Sequence, residues 1–405
     1  MKIELHMIQN FAPSCLNRDE TNAPKDCVFA GVRRARISSQ CIKRAVRRSF
    51  RDDGLLPAGN LAWRTKRLAE EVAGRLARAG REAELAQAAA TTALGGLGFG
   101  LDDAGRTQYL LFLGESGIQA LADLCEQHWD RLAEVAAKIR EAEGEGSDRS
   151  AREAKKAARD AVPDELRKAM GPVLDGTRAA DLALFGRMLA DLPDENIDAA
   201  CQVAHAISTH KIEMEMDFYT AVDDLKTREE EPGAGMMGVI GYNSACFYRY
   251  AVLDWEQLLA NLGGDRDLAE KSVQAFLRAS ALALPTGKQN TFAAHSRPDL
   301  ILVLARRAGA PLSLANAFAR PALPHDGKDL TQASVDQLVG YWNRVTAVYG
   351  DDQQLAVYGD KQELKGAFFC ATTPPTKPPT GWQDTSTLDG LVLEVTNLLP
   401  REGGS

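Results

Sequence analysis

A chain of 405 residues, 45% hydrophobic and 26% charged, is long enough for roughly two to three domains or one elaborated domain, and its apolar content argues against wholesale disorder. The formal net charge of −8 argues against a protein that coats itself in nucleic acid, although net charge averages over surfaces of opposite sign. Seven scattered cysteines without a CxxC argue against a disulfide framework, and no apolar run is long enough to cross a bilayer. The first residues, MKIELHMI, alternate polar and apolar side chains. They read as a strand over 2–11 rather than a signal peptide, which predicts a cytoplasmic protein with no membrane partner.

A turn-rich loop at 13–26 follows, then a short strand over Val32, Arg33, Arg34, Ala35, Arg36 and Ile37. Ser38 or Ser39 can cap the next helix, in which Ile42, Ala45, Val46 and Phe50 share the apolar face. Residues 63–92 read as helical. Further helical stretches between about 105 and 190 are interrupted near 145 and at Pro163, as expected of a helical insertion. Within it Arg152, Lys155, Lys156 and Arg159 recur at helical spacing, either as one basic stripe or as an ordinary solvated face beside Glu153 and Asp160. From His210 the period becomes two: Ile212, Met214, Met216 and Phe218 alternate with charged residues, predicting a half-exposed strand. A charged loop and a second strand, NSACFYRYAVL, complete a projecting pair over 210–250. Helices are then expected near Trp255, 265–283 and 332–348, with a strand near 299–304.

The strongest anomaly lies between Asp26 and Asp52, where Arg33, Arg34, Arg36, Lys43, Arg44, Arg47, Arg48 and Arg51 stand without one acidic residue. Phosphates gain affinity from such cations through ion pairing and counterion release, so this cluster points to a polyanion, the plain alternative being a solvated basic helix. Ser38, Ser39, Gln40 and the helix N-terminus supply the neutral donors that phosphate oxygens also accept from. The loop PTGKQNT adds Lys288, with Gly287 permitting close backbone approach. It is not a Walker A loop, because Leu282 and Gln289 stand where Gly and Ser or Thr are required. Phe218 and Tyr219 can stack on bases or serve a core. Phe247, Tyr248 and Tyr250 match the RNA-stacking consensus of RRM strands poorly.

Catalytic and metal patterns are weak. Six histidines form no HxxxH pair, Cys125 and His128 lack the second pair a closed zinc site needs, and the adjacent Asp223 and Asp224 diverge. Asp19, Glu20 and Asp26 could be imagined holding a metal for phosphodiester cleavage, but turn capping suits them better. No cofactor and no metal are expected.

The segment PSCLNRDETNAPKDCVFAGVRRARISSQCIKRAVR resembles the amino-terminal signature of the CasC-type backbone subunit of the type I-E CRISPR Cascade complex, in the Cas-seven family. ALFGRM, VAHAISTH, DFYTAVDDL, ACFYRYAVLDWEQLLANLGG, KQNTFAAH and PLSLANAF resemble the same family in the same order, so the likeness spans most of residues 1–320. It implies an α+β fold: an RRM-like (ferredoxin-like) palm from 1–60, 186–209 and 246–405, helical fingers at 61–185, and a β-hairpin thumb at 210–245. It also implies a head-to-tail homo-oligomer along crRNA, with target DNA and the CasA, CasB, CasD and CasE types as partners. Carried over, the RNA contacts fall on Arg18, Lys25, Ser38, Gln40, Lys43, Arg44, Arg47 and Lys288, with Met188 beside a displaced nucleotide. Phe218, Tyr219 and Val222 fall on the thumb wedge, where the family has a tryptophan–phenylalanine pair. Arg152, Lys155, Lys156 and Arg159 fall where the fingers face target DNA. Related backbone subunits cut RNA with a loop aspartate, which makes Asp26 the residue to suspect in a nuclease.

Overall fold

The computed structural model describes residues 1–102, 104–144, 174–189, 193–221, 236–307, 310–349 and 366–400. In chain order the described strands are β1 (Lys2–Ser14), β2 (Asp26–Phe29), β3 (Val32–Ile37), β4 (Ala62–Thr65), β5 (Leu111–Gly114), β6 (Cys201–Val203), β7 (Ala206–Ser208), β8 (Glu215–Ala221), β9 (Met236–Asp254), β10 (Leu300–Arg306), β11 (Ala367–Ala371) and β12 (Trp382–Asp384). The described α-helices are α1 (Ser39–Asp52), α2 (Leu68–Arg78), α3 (Ala83–Gly96), α4 (Glu115–Gln127), α5 (Trp129–Gly144), α6 (Ala180–Phe185), α7 (Trp255–Asn261), α8 (Arg266–Leu282), α9 (Gln289–Phe292), α10 (Leu330–Tyr349) and α11 (Leu388–Asn397). The chain divides into two compact units: one of Met1–Asp53, Cys201–Glu256 and Val273–Ser405, the other of Gly54–Ala200 and Gln257–Ser272. The fold is mixed α+β.

The first unit is built on one large sheet of order β12-β11-β10-β1-β9-β7-β3-β2, with β6 and β8 also paired to β9. Its pairs are antiparallel except β11 with β12. β1 lies between β9 and β10, and it is buried on both faces from Ile3 to Gln9. Its alternation of polar and apolar residues therefore does not mark a wet face. The even residues Glu4 and His6 are sealed in a polar network instead. Glu4 pairs with Arg306 and accepts from the Leu312 amide at 2.8 Å, while His6 Nδ1 and the Tyr248 hydroxyl share a 2.9 Å hydrogen bond. Ile8, Tyr248, Leu302 and Leu304 join Phe318, Leu338 and Trp342 of the helical layer carrying α10. On the other face Leu5 and Met7 meet Ile42 and Val46 of α1 and Phe276 of α8.

β9 does two jobs along its 19 residues. Asn243–Asp254 pair with β1, whereas Met236–Tyr242 pair only with β8, so the hairpin extends beyond the body of the sheet. Two strands with a connection between them are the predicted pattern for 210–250. The predicted burial differs: Ile212 is buried, but Met216, Phe218, Met237 and Val239, which share one face, are all exposed.

In the second unit β4 and β5 form a two-stranded ribbon, and α2 to α5 bury Leu68, Val72, Leu76, Ala90, Leu94, Leu121 and Cys125 together. The stretch expected to be one helical region over 63–92 instead begins in β4 and breaks between α2 and α3. Gly80 there adopts φ +99°, a left-handed conformation that a residue with a Cβ disfavours and that ends the first helix. Cys125 is a buried thiol, and burial pushes its pKa up to about 12.

Candidate nucleic-acid interface

Three segments of the first unit meet around Leu16. Asn17 organises the first, the loop after β1: its carbonyl accepts from the Lys25 amide at 2.8 Å, and its Oδ1 accepts from the Ser38 amide at 2.8 Å. Ser38 is the N-cap of α1, with its hydroxyl accepting from the Cys41 amide at 3.3 Å. Gly287 brings in the third segment. A methyl group there would lie against the Leu16 carbonyl carbon at 2.6 Å and the Cys15 oxygen at 2.7 Å, so the loop after α8 can press on the first loop only through glycine. The close approach predicted at Gly287 is thus spent on protein backbone.

This meeting gathers cations that are distant in sequence. Arg18 and Lys288 both act electrostatically on Cys15, Arg44 and Lys25 on Cys41, and Lys25 and Arg36 on His205. Arg18, Gln40 and Arg44 are exposed, while Lys25, Lys43, Arg47 and Lys288 are half-buried. Arg18 donates to Asn22 at 2.7 Å through one Nη, leaving the rest of its guanidinium fork exposed. An open cleft of about 430 Å³ lies between Leu16–Glu20, Asn22 and Gly287. Another of about 320 Å³ continues past Gly287 to Arg44, Arg48, His295 and Arg297. Such a surface can hold a polyanion through its phosphates.

The hairpin stands on the same unit. Gly241 of β9 lies against Ala23 and Pro24 of the first loop, and the Tyr242 ring is 5.7 Å from Phe292 in the loop after α8. Phe218 is 62% exposed beside Val239, its cross-strand partner. Tyr219, on the opposite face, lays its ring over Gly238.

Residues 3–371 match the family described as CT1975-like protein. The chain belongs to the CT1975-like protein family. Among solved structures, this family member is similar to a chain of a "CRISPR RNA-guided surveillance complex, pre-nicking", with 30% identity over 98% of this chain and 99% of that one and a TM-score of 0.79. A chain of a "CRISPR RNA-guided surveillance complex" is similar at 25% identity over the same shares, with a TM-score of 0.71. No curated protein matches.

In this CT1975-like chain the basic cluster does not act as one surface. Arg34 is fully buried: its Nη atoms donate to the Phe318 carbonyl at 2.7 Å and the Ser208 carbonyl at 3.3 Å, and its cation lies over the Phe29 ring. Its expected place among the RNA contacts is therefore corrected, because β3 turns alternate side chains to opposite faces and Arg34 faces the core. Arg33 is exposed but forms a two-pronged ion pair with Asp26. Arg36 donates to the Asp26 carbonyl at 3.2 Å and shares a 3.1 Å contact with His205. Burial and the charges of Arg36 and Lys25 hold the His205 pKa below its usual value, so at neutral pH it adds no charge to the cluster. The Ser38 hydroxyl is committed to its cap and buried, which leaves Gln40 as the exposed polar group of that turn.

Asp19 caps its own turn, accepting from the Thr21 amide and hydroxyl and the Ala23 amide, and those hydrogen bonds lower its pKa. Asp26 is paired to Arg33, so two of the three loop carboxylates, Asp19 and Asp26, are occupied. Among the described residues no group of three His, Cys, Asp or Glu side chains comes together to hold a metal ion, and no helix is long and apolar enough to cross a membrane. Met188 is 83% exposed in the second unit. Val222, Arg152, Lys155, Lys156 and Arg159 lie outside the described residues. Asn17 escaped sequence reading; its signal is an asparagine in a turn-rich loop, where that side chain commonly bonds nearby backbone.

Proposed function

We propose that this chain is a guide-RNA-binding backbone subunit of a CRISPR RNA-guided surveillance complex, of the CasC type of type I-E. The observation that carries this reading is that Arg18 and Arg44 line the clefts flanking Gly287 while Lys288 and Lys25 act on the adjoining Cys15 and Cys41, in a chain of net charge −8. Cations held by backbone-to-backbone packing suit a partner read by its phosphates and not by its base edges. Copies would assemble head to tail along the spacer, leaving bases free for pairing with target DNA. The sheet unit would serve as an RRM-like palm, the second unit as fingers and the β8–β9 hairpin as thumb. Other Cascade subunits would end the filament in the cytoplasm. The chain would bind without cutting, a reading supported by the occupied carboxylates at Asp19 and Asp26.

The experiment is co-purification with crRNA. RNA of discrete length carrying several protein copies supports the scaffold; RNA-free monomer with no affinity for crRNA overturns it. The nuclease alternative predicts magnesium-dependent cleavage of complementary RNA that Asp26→Ala abolishes. Cleavage of that kind would replace the scaffold reading.

A further inference from the structure

Besides Arg34 and Arg306, the sheet buries a third arginine among the described residues, at a place where an apolar residue would be expected. Arg249 sits in β9 opposite Met7 of β1, facing the layer of Ile42, Val46 and Phe276, and it is buried. Desolvation lowers its pKa to about 10, so it stays a cation at neutral pH. A methionine would fill such a space without the cost of desolvating a charge. What the arginine adds is direction. Its Nη1 donates to Gln9 Oε1 at 2.6 Å and its Nη2 to the Ser280 carbonyl at 2.8 Å. Gln9, two residues from Met7 on the same face of β1, turns its Nε2 to the Ser296 carbonyl at 2.9 Å.

Those two carbonyls are the feet of one loop. Ser280 lies in the last turn of α8, where helix carbonyls lack intrahelical partners and a cation is favoured by the helix dipole. Ser296 precedes β10. Between them runs the segment with Gly287 and Lys288, whose neck is also closed by Arg297 donating to the Leu282 carbonyl at 2.9 Å. Gln289 braces the interior, donating to the Pro285 carbonyl at 3.0 Å and the Ala294 carbonyl at 3.3 Å. Lys288 itself holds φ +43°, a left-handed conformation that only surrounding contacts can maintain. The anchors named here end on main-chain oxygens, so they set the course of the backbone that carries Lys288.

We propose that Gln9 and Arg249 form a buried clamp that positions the Lys288 loop for contact with RNA phosphate. They act as positioning residues through Lys288, and the RNA part of the inference rests on the function proposed above.

Gln9→Glu separates positioning from folding. The carboxylate keeps an oxygen facing Arg249 and adds an opposite charge, but it has no N–H for the Ser296 carbonyl. The expected result is an unchanged or higher melting temperature with amide exchange over 283–297 faster by about tenfold in the RNA-free protein. RNA affinity falls by about three- to tenfold, as for Lys288→Ala, and the double variant binds no more weakly than Lys288→Ala alone. Unchanged exchange over 283–297 overturns the clamp, and so do fully additive losses of affinity. Gln9→Met, which fills the space and loses both hydrogen bonds, is the second variant should Gln9→Glu not fold. If Lys288→Ala leaves RNA binding intact, the reading of Lys288 as an RNA contact fails, and the exchange measurement still decides whether the clamp holds the loop.

Discussion

Arg34 and Arg44 are ten positions apart in the same basic cluster and do opposite work. Arg34 spends its charge inside the core on the carbonyls of Ser208 and Phe318, whereas Arg44 is exposed and lines the cleft beyond Gly287. Arg34→Met therefore leaves two buried carbonyls short of a donor and is expected to cost roughly 2–3 kcal/mol in denaturant unfolding. RNA affinity of the folded fraction should stay within twofold. Lys43→Ala with Arg44→Ala should do the reverse: stability held within about 0.5 kcal/mol, and RNA binding weakened about tenfold for every guide sequence tried. An unaltered affinity would remove α1 from the groove. His6 carries a pH prediction of its own. Burial first, and Arg306 second, lower its pKa from 6.5 to about 3, so the unfolded chain takes up this proton at higher pH than the folded one. Its contribution to stability is present above pH 6.5 and lost as pH falls toward 3, with a slope of up to about 1.4 kcal/mol per pH unit. Glu4, whose pKa burial raises, has the opposite sign. Comparing urea unfolding of the wild type and His6→Gln across this range isolates the histidine; equal slopes would show that His6 protonates as readily when folded.

Among elements, the hairpin shows how strand geometry divides two neighbouring aromatics. Phe218 shares the exposed face with Met216, Met237 and Val239, while Tyr219 covers Gly238 from the other side. Phe218→Ala is expected to leave the melting temperature unchanged and to erase any regular pattern of exposed nucleotides in chemical probing of the bound RNA. Tyr219→Ala uncovers the glycine and should instead loosen the β8–β9 pairing by about 1 kcal/mol, seen as faster amide exchange in the hairpin. The loop after α8 is the second such element. Its seat on Leu16 exists only without a side chain at 287, so Gly287→Ala should shift the loop and reduce RNA affinity together.

For the whole molecule, the decisive contrast is between a net charge of −8 and the arginines that line the cleft past Gly287. If each copy places Arg18, Lys25, Lys43, Arg44 and Lys288 on phosphates, the log–log dependence of binding on salt should have a slope of about −3.5 per copy for single-stranded RNA. A slope near zero would show that the attraction is not to phosphate.

The sequence by itself determined the elements that depend on local pattern. The capped helix after Ser38, the helix near 265–283, the strand near 299–304 and the paired strands of 210–250 follow from capping chemistry and from periods of 3.6 and two, which neighbouring residues set. Charge clustering marked α1, and motif resemblance marked Arg18, Lys25 and Lys288. Only the tertiary structure decided which cations face solvent. Arg33 and Arg34 read identically in a basic strand, yet β3 turns one to the surface, where it pairs with Asp26, and the other into the core. Tertiary packing also buried β1 on both faces, overriding an alternation that locally predicts a wet side. It joined Asn17 to Ser38, Gly287 to Leu16, and Gln9 to Arg249. Those contacts link residues 21, 271 and 240 positions apart, and no local propensity encodes a distance closed only when the whole sheet forms.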